Sequence, residues 1–345
     1  MKYERPQYSV AVITEGGTKY CVKNMGESES NIITSLSLSE PDGQLAQKVA
    51  MKVADMKIPG KNGGYPSVLF KVKSRVFVYA KGVGVETKKE VFRGFIWENR
   101  ISNSQKKELE LTCYDNLIYF MKSETSMFFS RGKPTKAVVS AICKKWGIKV
   151  NYSYLSITHP KLPLSGTLAD VFTADILDSV KKKKGTEYVI RSVKDVMNVL
   201  SVGKNTTIYN IDKGGRGVEI EYTRTTTMEG MVTKVVITGK TDKAGKTKIE
   251  AAVRKNTKKY GTLQKVINKD EDTKLKEIRA EAQTVLREHA QPETKYEVTA
   301  LDIPWIRKGD KVGVCFNNDK IKYCIVRSIT HDAVEGTMVM EVRRC

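Results

Sequence analysis

Apolar and polar residues alternate with a period of two at both ends of this chain, and this alternation limits the fold more than any other feature. From Lys107 to Cys113, every second residue is apolar, which is typical of a strand with one face against a core. Near the carboxyl end, three such rows follow one another, and the sequence predicts antiparallel strands there too. Their apolar residues are Val312, Val314 and Phe316, then Ile321, Tyr323 and Ile325, and then Met338, Met340 and Val342.

Further strands are predicted before residue 107. Val68, Phe70 and Val72 lie at alternate positions, and residues 75–80 form a β-branched and aromatic run. Residues 41–43 and 60–64 are clusters of turn-forming residues between these segments. Short antiparallel strands with turns at this spacing favour a barrel or a sandwich.

The middle of the chain has helical periodicity instead. Pro134 favours the start of a first helix and Gly147 its carboxyl end, while Thr167 and Asp170 form a capping-box pattern for a second helix. The second helix is expected to end with four lysines at 181–184, whose charges complement the helix dipole. The predicted inner faces are Ala137, Val138, Ile142 and Trp146 in the first helix and Leu168, Phe172, Ile176 and Val180 in the second.

These patterns predict an α+β, mainly β fold in which two tube-like antiparallel β-barrels flank an inserted small α/β unit. The first barrel is assigned to residues 1–119, the α/β domain to 120–212 and the second barrel to 213–345. One amphipathic helix, at about 271–290, is expected as an insertion in the second barrel. Its apolar face consists of Leu275, Ile278, Ala282, Val285 and Leu286.

The chain is strongly basic. Its 345 residues include 60 Lys and Arg against 39 Asp and Glu, a net charge of +21, which attracts polyanions or acidic partner proteins. Residues 240–265 are the densest basic stretch outside the helix end at 181–184. A basic nucleic-acid-binding β-barrel protein is therefore one functional hypothesis, although the few aromatic residues (8%) are not interleaved with the basic runs.

The sequence has none of the common catalytic motifs. Gly-x-Ser-x-Gly, His-Glu-x-x-His and the phosphate-binding Gly-x-x-x-x-Gly-Lys-Ser/Thr pattern are all missing. The six cysteines are scattered without a Cys-x-x-Cys pair, and none of the three histidines lies at metal-ligand spacing from a cysteine. We therefore expect no catalytic residues, no metal and no cofactor, and reduced thiols. The amino-terminal residues lack an apolar region, so we also expect no signal peptide and no membrane-spanning segment.

Several segments, in order along the chain, resemble the baseplate hub proteins of contractile phage tails. The class is the one found in Gram-positive phages, defective prophages and phage-tail-like bacteriocins. The matching segments are residues 110–120, 133–148, 168–191, 222–235, 259–267, 306–312 and 329–331. The residues singled out as candidate assembly positions, for which core and turn roles are the alternative, are Tyr114, Asp115, Arg224, Thr227, Met228, Tyr260, Gly261, Trp305, Asp310 and His331.

The resemblance implies a structural protein of a phage virion or tail-like particle, assembled in the bacterial cytoplasm. It implies a homotrimer in which each subunit supplies two tube-like barrels to a pseudo-six-fold ring. Such a ring is a symmetry adaptor, because it joins a six-fold tail tube to a three-fold spike. The implied partners are the tail tube protein, the central spike protein and other baseplate (wedge) proteins, with DNA passing through the lumen in an infectious phage. Hydrolysis of the cell wall is not expected of this chain.

Overall fold

Antiparallel β-structure dominates the computed structural model, which describes residues 5–23, 31–60, 62–103, 107–152, 156–212, 219–241, 247–269, 274–316 and 320–344. The chain divides into two compact units. The first consists of Met1–Tyr222 together with Glu297–Cys345, and the second consists of Thr223–Tyr296.

The amino-terminal part of the first unit is a set of antiparallel strands around an apolar core. The predicted strand from Lys107 is confirmed, since Leu109, Leu111 and Cys113 are all buried. The elements are β1 (Gln7–Ile13), β2 (Lys19–Lys23), β3 (Ile33–Glu40), β4 (Lys48–Ala54), α1 (Pro66–Leu69), β5 (Arg75–Gly82), β6 (Val85–Asn103) and β7 (Lys107–Tyr114).

The strand predicted at Val68, Phe70 and Val72 is wrong. Residues 66–69 form the short helix α1, which has Pro66 at its start, a position where the fixed φ of proline suits a helix. Val68 and Val72 are exposed, whereas Phe70 is buried in the core. Three alternating residues are too few to distinguish one strand from one helical turn followed by a bend.

The middle of the first unit is the predicted small α/β structure. Strands β8 and β10 pair antiparallel, while β12 pairs antiparallel with β11 and parallel with β9. The elements are α2 (Ile118–Lys122), β8 (Glu124–Phe129), α3 (Thr135–Lys145), β9 (Lys149–Tyr152), β10 (Leu162–Thr167), α4 (Leu168–Asp170), a π-helical segment (Val171–Leu177), α5 (Asp178–Lys184), β11 (Tyr188–Val193) and β12 (Val196–Ser201).

The second predicted helix is confirmed, including its ends. The Thr167 hydroxyl accepts a hydrogen bond from the backbone N–H of Asp170 at 3.2 Å, and Gly185 follows the last turn with a φ of 70°. Leu168, Phe172, Ile176 and Val180 are all buried. An α-helix completes a turn in 3.6 residues, so side chains four residues apart move gradually around its surface. The π-helical segment has more residues per turn, which offsets this movement and keeps the four apolar residues on one face.

The second unit packs one helix on a small sheet. Strand β15 lies between β16 and β17, antiparallel to β16 and parallel to β17. Val235 and Ile237 pack with Ile278, Ala282 and Leu286, which confirms the predicted amphipathic helix; residues 271–273 of its predicted range lie outside the described residues. Before this unit, β13 (Asn210–Ile211) belongs to the first unit, and β14 (Glu219–Thr227) leads from the first unit into the second. The elements that follow are β15 (Lys234–Thr241), β16 (Thr247–Arg254), α6 (Thr257–Tyr260), β17 (Gln264–Asn268) and α7 (Leu275–His289).

The last strands return to the first unit and join its amino-terminal strands in one sheet. They are β18 (Glu293–Leu301), β19 (Lys311–Val314), β20 (Lys322–Asp332) and β21 (Thr337–Arg344). The strand order is β14-β18-β21-β20-β3-β4-β7-β6-β5-β1-β2, and β19 pairs with β20 and β13. The pairing of β20 with β3 therefore links the two strand sets that the sequence assigns to separate barrels.

One of the three carboxyl-terminal rows was assigned to the wrong face. Val312 and Val314 are buried as predicted, but Ile321 and Tyr323 are exposed. The register explains the difference, because Val312 lies opposite Cys324, and directly opposed residues share a face of the sheet. Cys324 and Val326 thus point inward, and Ile325 between them is also buried. An irregularity in β20 follows, between Val326 and Ser328.

The predicted fold class is confirmed as mainly β with antiparallel sheets, an α/β insertion and one amphipathic helix. The three-domain division at residues 119 and 212 stays a prediction. Within the described ranges, no helix combines the length and the apolar character needed to cross a membrane.

Phe120 tests the core of the α/β part. Its ring is fully buried, with its centroid 4.9 Å from that of Phe172. We expect Phe120→Ala to lower the free energy of unfolding by about 3–5 kcal/mol, because it leaves a cavity. Urea unfolding measures this. The control is Phe128→Ala, which removes an exposed ring; equal effects of the two substitutions would contradict the packing described here.

Candidate functional site

Residues 302–310, between β18 and β19, bring together buried charged and polar side chains from distant parts of the first unit. Asp302, Lys308 and Asp310 are buried within this segment. We call the set they form with their partners the buried polar cluster. It consists of Glu40, Arg191, Asp302, Arg307, Lys308, Asp310 and His331, together with Asp115, whose carboxylate interacts electrostatically with Arg307.

His331 links the segment to the sheet. Its Nδ1 lies 2.6 Å from a carboxylate oxygen of Asp302, and its Nε2 lies 3.1 Å from the carbonyl oxygen of Ile306. The hydroxyl of Tyr8 donates to the second oxygen of Asp302. Strand β1, strand β20 and the segment are therefore held by one chain of hydrogen bonds.

Glu40 and Arg307 form a bidentate ion pair. The guanidinium of Arg307 donates to the two carboxylate oxygens of Glu40 at 2.6 and 3.0 Å. Burial acts to raise the pKa of Glu40, but the charge and hydrogen bonds of Arg307 outweigh it and lower the pKa below its ordinary value. The pair joins the last residue of β3 to the segment before β19.

Lys308 and Arg191 extend the cluster in two directions. The ammonium of Lys308 donates to the carbonyl oxygens of Pro41 and Gln44, and its burial lowers its pKa. Arg191, on β11, donates to the carbonyl oxygen of Lys308 at 2.8 Å and to the carboxylate of Asp310 at 2.7 Å. The segment is thus tied both to the turn after β3 and to the α/β part.

Asp115 is buried directly after β7. Its carboxylate accepts hydrogen bonds from the backbone N–H groups of Gln47 and Leu117 at 3.0 and 2.9 Å. Burial nevertheless raises the pKa of Asp115 to about 7, because it disfavours the charged form more than these bonds favour it.

Gly309 is required by both its conformation and its surroundings. Its φ is +87°, and a Cβ at this position would lie 2.7 Å from Cγ1 of Val189 on β11. The close approach allows Arg191 to reach the carbonyl oxygen of Lys308.

Beside the cluster lies an open cleft of about 460 Å³, which we call the lysine cleft. Lys89, Lys204 and Lys311 line it together with Arg191 and Asp310. The remaining lining residues are Val85, Asn205, Thr206, Thr207, Tyr209, Trp305, Ile306 and Val312.

Five of the residues singled out from the sequence lie in the first unit. Asp115, Asp310 and His331 belong to the buried polar cluster, and Trp305 lines the lysine cleft. Tyr114 precedes Asp115, and its ring packs edge-on against Trp97 with centroids 6.3 Å apart. Each has an internal structural contact; their roles in assembly stay predictions.

The other five lie in the second unit. Arg224 and Thr227 are on β14, Met228 is exposed directly after it, and Tyr260 ends α6. Gly261 has a φ of +78°, and its carbonyl oxygen accepts a hydrogen bond from the Thr233 hydroxyl at 2.8 Å. They are thus strand, turn and helix-end residues, and their assembly roles also stay predictions.

Sequence reasoning missed Glu40, Arg191, Asp302, Arg307 and Lys308 as site residues. Glu40 and Arg307 are 267 positions apart, and no local pattern connects them. The signals available were the matching segments 168–191 and 306–312, which contain Arg191, Arg307 and Lys308, and the mixture of charges around Gly309.

No three of the described His, Cys, Asp and Glu side chains are grouped to hold a metal ion. The thiols of Cys113 and Cys143 are buried, which raises the pKa of each and disfavours the reactive thiolate.

A family model, described as YQBQ-like, matches residues 61–343, which is most of the sequence. The chain belongs to the YQBQ-like family. No curated protein sequence matches this YQBQ-like chain significantly.

Solved structures share the fold of this YQBQ-like chain over nearly its whole length. The tail protein of Neisseria meningitidis MC58 has a TM-score of 0.68 at 12% identity, covering 98% of this chain and 97% of that one. The 43 kDa tail protein of prophage MuSo2 from Shewanella oneidensis has a TM-score of 0.65 at 14% identity, covering 98% of both chains. Prophage tail protein gp18 of Listeria monocytogenes EGD-e has a TM-score of 0.54 at 10% identity, covering 97% of this chain and 94% of that one. The resemblance to tail proteins is thus confirmed for the fold.

Glu40→Gln tests the buried ion pair of this YQBQ-like chain. The substitution leaves the Arg307 charge without its bidentate partner, and we expect the free energy of unfolding to fall by about 3–5 kcal/mol. The control is Glu110→Gln, in the exposed pair with Lys52 at 3.1 Å, which should cost at most about 1 kcal/mol. Urea unfolding compares them, and similar costs would show that the Glu40–Arg307 pair is not a major source of stability.

Asp115 predicts a pH dependence. Its pKa is raised from 3.8 to about 7 on folding, so between these values the folded state holds a proton that the unfolded state has lost. Its contribution to stability is therefore complete below pH 3.8 and is lost as the pH rises through about 7. We expect Asp115→Asn to flatten the fall in stability between about pH 5 and about pH 7.

Urea unfolding at several pH values measures this slope. Groups that titrate in both proteins cancel in the comparison. The contribution of Glu40 to stability changes only below its ordinary pKa of 4.5, which lies outside the window. The exposed Asp42, changed to Asn, is the matched control. Parallel profiles for the native chain and Asp115→Asn would refute the assignment.

Proposed function

We propose that this chain is the structural baseplate hub of a contractile tail or tail-like particle. In this proposal it forms a trimer whose pseudo-six-fold ring joins the tail tube to the central spike. The observation that carries the proposal is the fold shared with phage tail proteins over almost the full length of both chains. The ordered sequence segments that resemble hub proteins support the same role.

A ring of three such chains solves a problem of symmetry. A tube with six-fold symmetry and a spike with three-fold symmetry need an adaptor that presents both, and two similar β-units in each of three subunits supply it. The β3–β20 pairing supports this role, because it holds the two strand sets of one chain in one continuous sheet. Interfaces in such permanent assemblies bury upwards of ~2,000 Å².

The proposed mechanism is docking without chemical turnover. One surface of the ring accepts the last tube ring, another accepts the spike, and the α/β part faces the wedge proteins. The chain then acts within a virion or tail-like particle, and DNA crosses the lumen in an infectious phage. The buried ion pairs of the first unit support such a load-transmitting role, since they hold distant segments in one geometry.

The alternative is a nucleic-acid-binding protein. It is favoured by a set of exposed basic side chains in the second unit, namely Lys248, Arg254, Lys255, Lys258, Lys259 and Lys265. A DNA titration at several salt concentrations tests it, because affinity that depends on phosphate contacts falls steeply with salt. Tight DNA binding that persists at about 0.15 M salt would favour this alternative over the hub.

Light scattering at low and high salt tests the hub. We expect a species with three times the mass of one chain that survives high salt, because obligate interfaces rely on apolar burial, which salt does not screen. Electron microscopy of that species should show closed rings with six similar lobes. A monomer at every protein and salt concentration would contradict a self-closing ring.

A further inference from the structure

The lysine cleft has an excess of positive charge that no carboxylate of the described residues neutralises. Its one carboxylate, Asp310, accepts a hydrogen bond from Arg191 at 2.7 Å and another from the backbone N–H of Arg307 at 2.9 Å. The described residues place no carboxylate within ion-pair distance of Lys89, Lys204 or Lys311. Three lysines therefore face a shared space with their charges uncompensated.

The walls of the cleft are fixed by backbone contacts. The side chain of Asn205 accepts from the N–H of Lys311 at 2.7 Å and donates to its carbonyl oxygen at 2.9 Å. The N–H of Gly203 donates to the carbonyl oxygen of Gly309 at 2.8 Å, and β13 pairs with β19. The two walls, residues 203–211 and 309–315, are thus held together before any ligand binds, which lowers the entropic cost of binding.

Aromatic rings lie next to two of the lysines. The Lys89 ammonium lies 5.9 Å from the ring of Trp305, and the Lys311 ammonium lies 5.9 Å from the ring of Tyr323. At this distance the rings attract the cations weakly and limit the space they sample. The ammonium groups remain available to an anion, since the side chains of Lys89 and Lys204 are exposed.

We propose that the lysine cleft binds an acidic peptide segment of a partner protein. Separate lysine point charges suit separate carboxylates, whereas planar bidentate recognition of phosphate favours arginine, and the arginine here is already paired. The partly exposed side chains of Val85 and Trp305 also line the cleft and suit the apolar parts of a peptide. A nucleic acid duplex carries one charge per ~1.7 Å and needs a long basic track, not a compact cleft. This inference does not rest on the hub proposal.

Fluorescence anisotropy with a labelled glutamate-rich peptide tests the proposal, on the full chain at about 0.15 M salt. The test variant changes Lys89, Lys204 and Lys311 to Gln together. The control changes the exposed Lys144, Lys149 and Lys276 to Gln, which lowers the net charge equally. We expect the cleft variant to lose peptide affinity roughly tenfold and the control to stay within about twofold.

A second variant guards against a loss of folding, because Lys311 is half-buried. Lys89→Gln with Lys204→Gln changes only exposed side chains and should still weaken peptide binding about fivefold. Thermal unfolding and light scattering on each variant separate loss of binding from loss of fold or of assembly. The measurements can therefore refute the hub proposal while they support peptide binding in the cleft, or refute peptide binding while they support the hub proposal.

Three results would overturn the proposal. The first is no binding of the peptide to the native chain. The second is an equal loss of affinity in the cleft variant and the control, which would assign binding to the diffuse net charge. The third is that the cleft variant loses more affinity for a labelled oligothymidine than for the peptide, which would make nucleic acid the occupant of the cleft.

Discussion

Removing an ion from water costs several kcal/mol unless a partner of opposite charge and further hydrogen bonds replace the solvent. The pair of Glu40 and Arg307 meets this condition with two short bonds, and Lys308 and Asp310 fill the space around it. The rest of the first unit depends on this arrangement, because it fixes where the segment before β19 meets the end of β3. Breaking the pair would leave a buried charge, so we expect a change in this one side chain to weaken contacts between strands that lie far apart in the sequence.

The same segment forms one wall of the lysine cleft. Arg307 and Lys308 hold it to the turn after β3, Arg191 holds it to the α/β part, and the lysine cleft lies along its other side. The charges of the buried polar cluster are thus satisfied by internal partners, while Lys89 and Lys204 of the cleft are exposed and Lys311 is half-buried. This separation suits the docking role proposed above, since a preformed charged surface loses little entropy when a partner binds.

Local sequence signals predicted the elements that are governed by local physics. The threonine cap and final glycine of the helix at 168–184 and the alternation in β7 concern neighbouring residues, and each was confirmed. The errors came where another part of the chain decides. The face of Tyr323 depends on how β20 registers against β19, and the helical turn at 66–69 overrode a short alternating pattern.

The sequence by itself determined the mainly β class, the positions of the long helices, the positive charge and the family resemblance. Only the tertiary structure decided that β20 pairs with β3, that Glu40 binds Arg307, and which lysines share a cleft. The physical reason is range. Caps and periodicity act over a few residues, whereas ion pairs and strand pairings join residues that the sequence separates by hundreds of positions, and no local pattern records which distant partner each will meet.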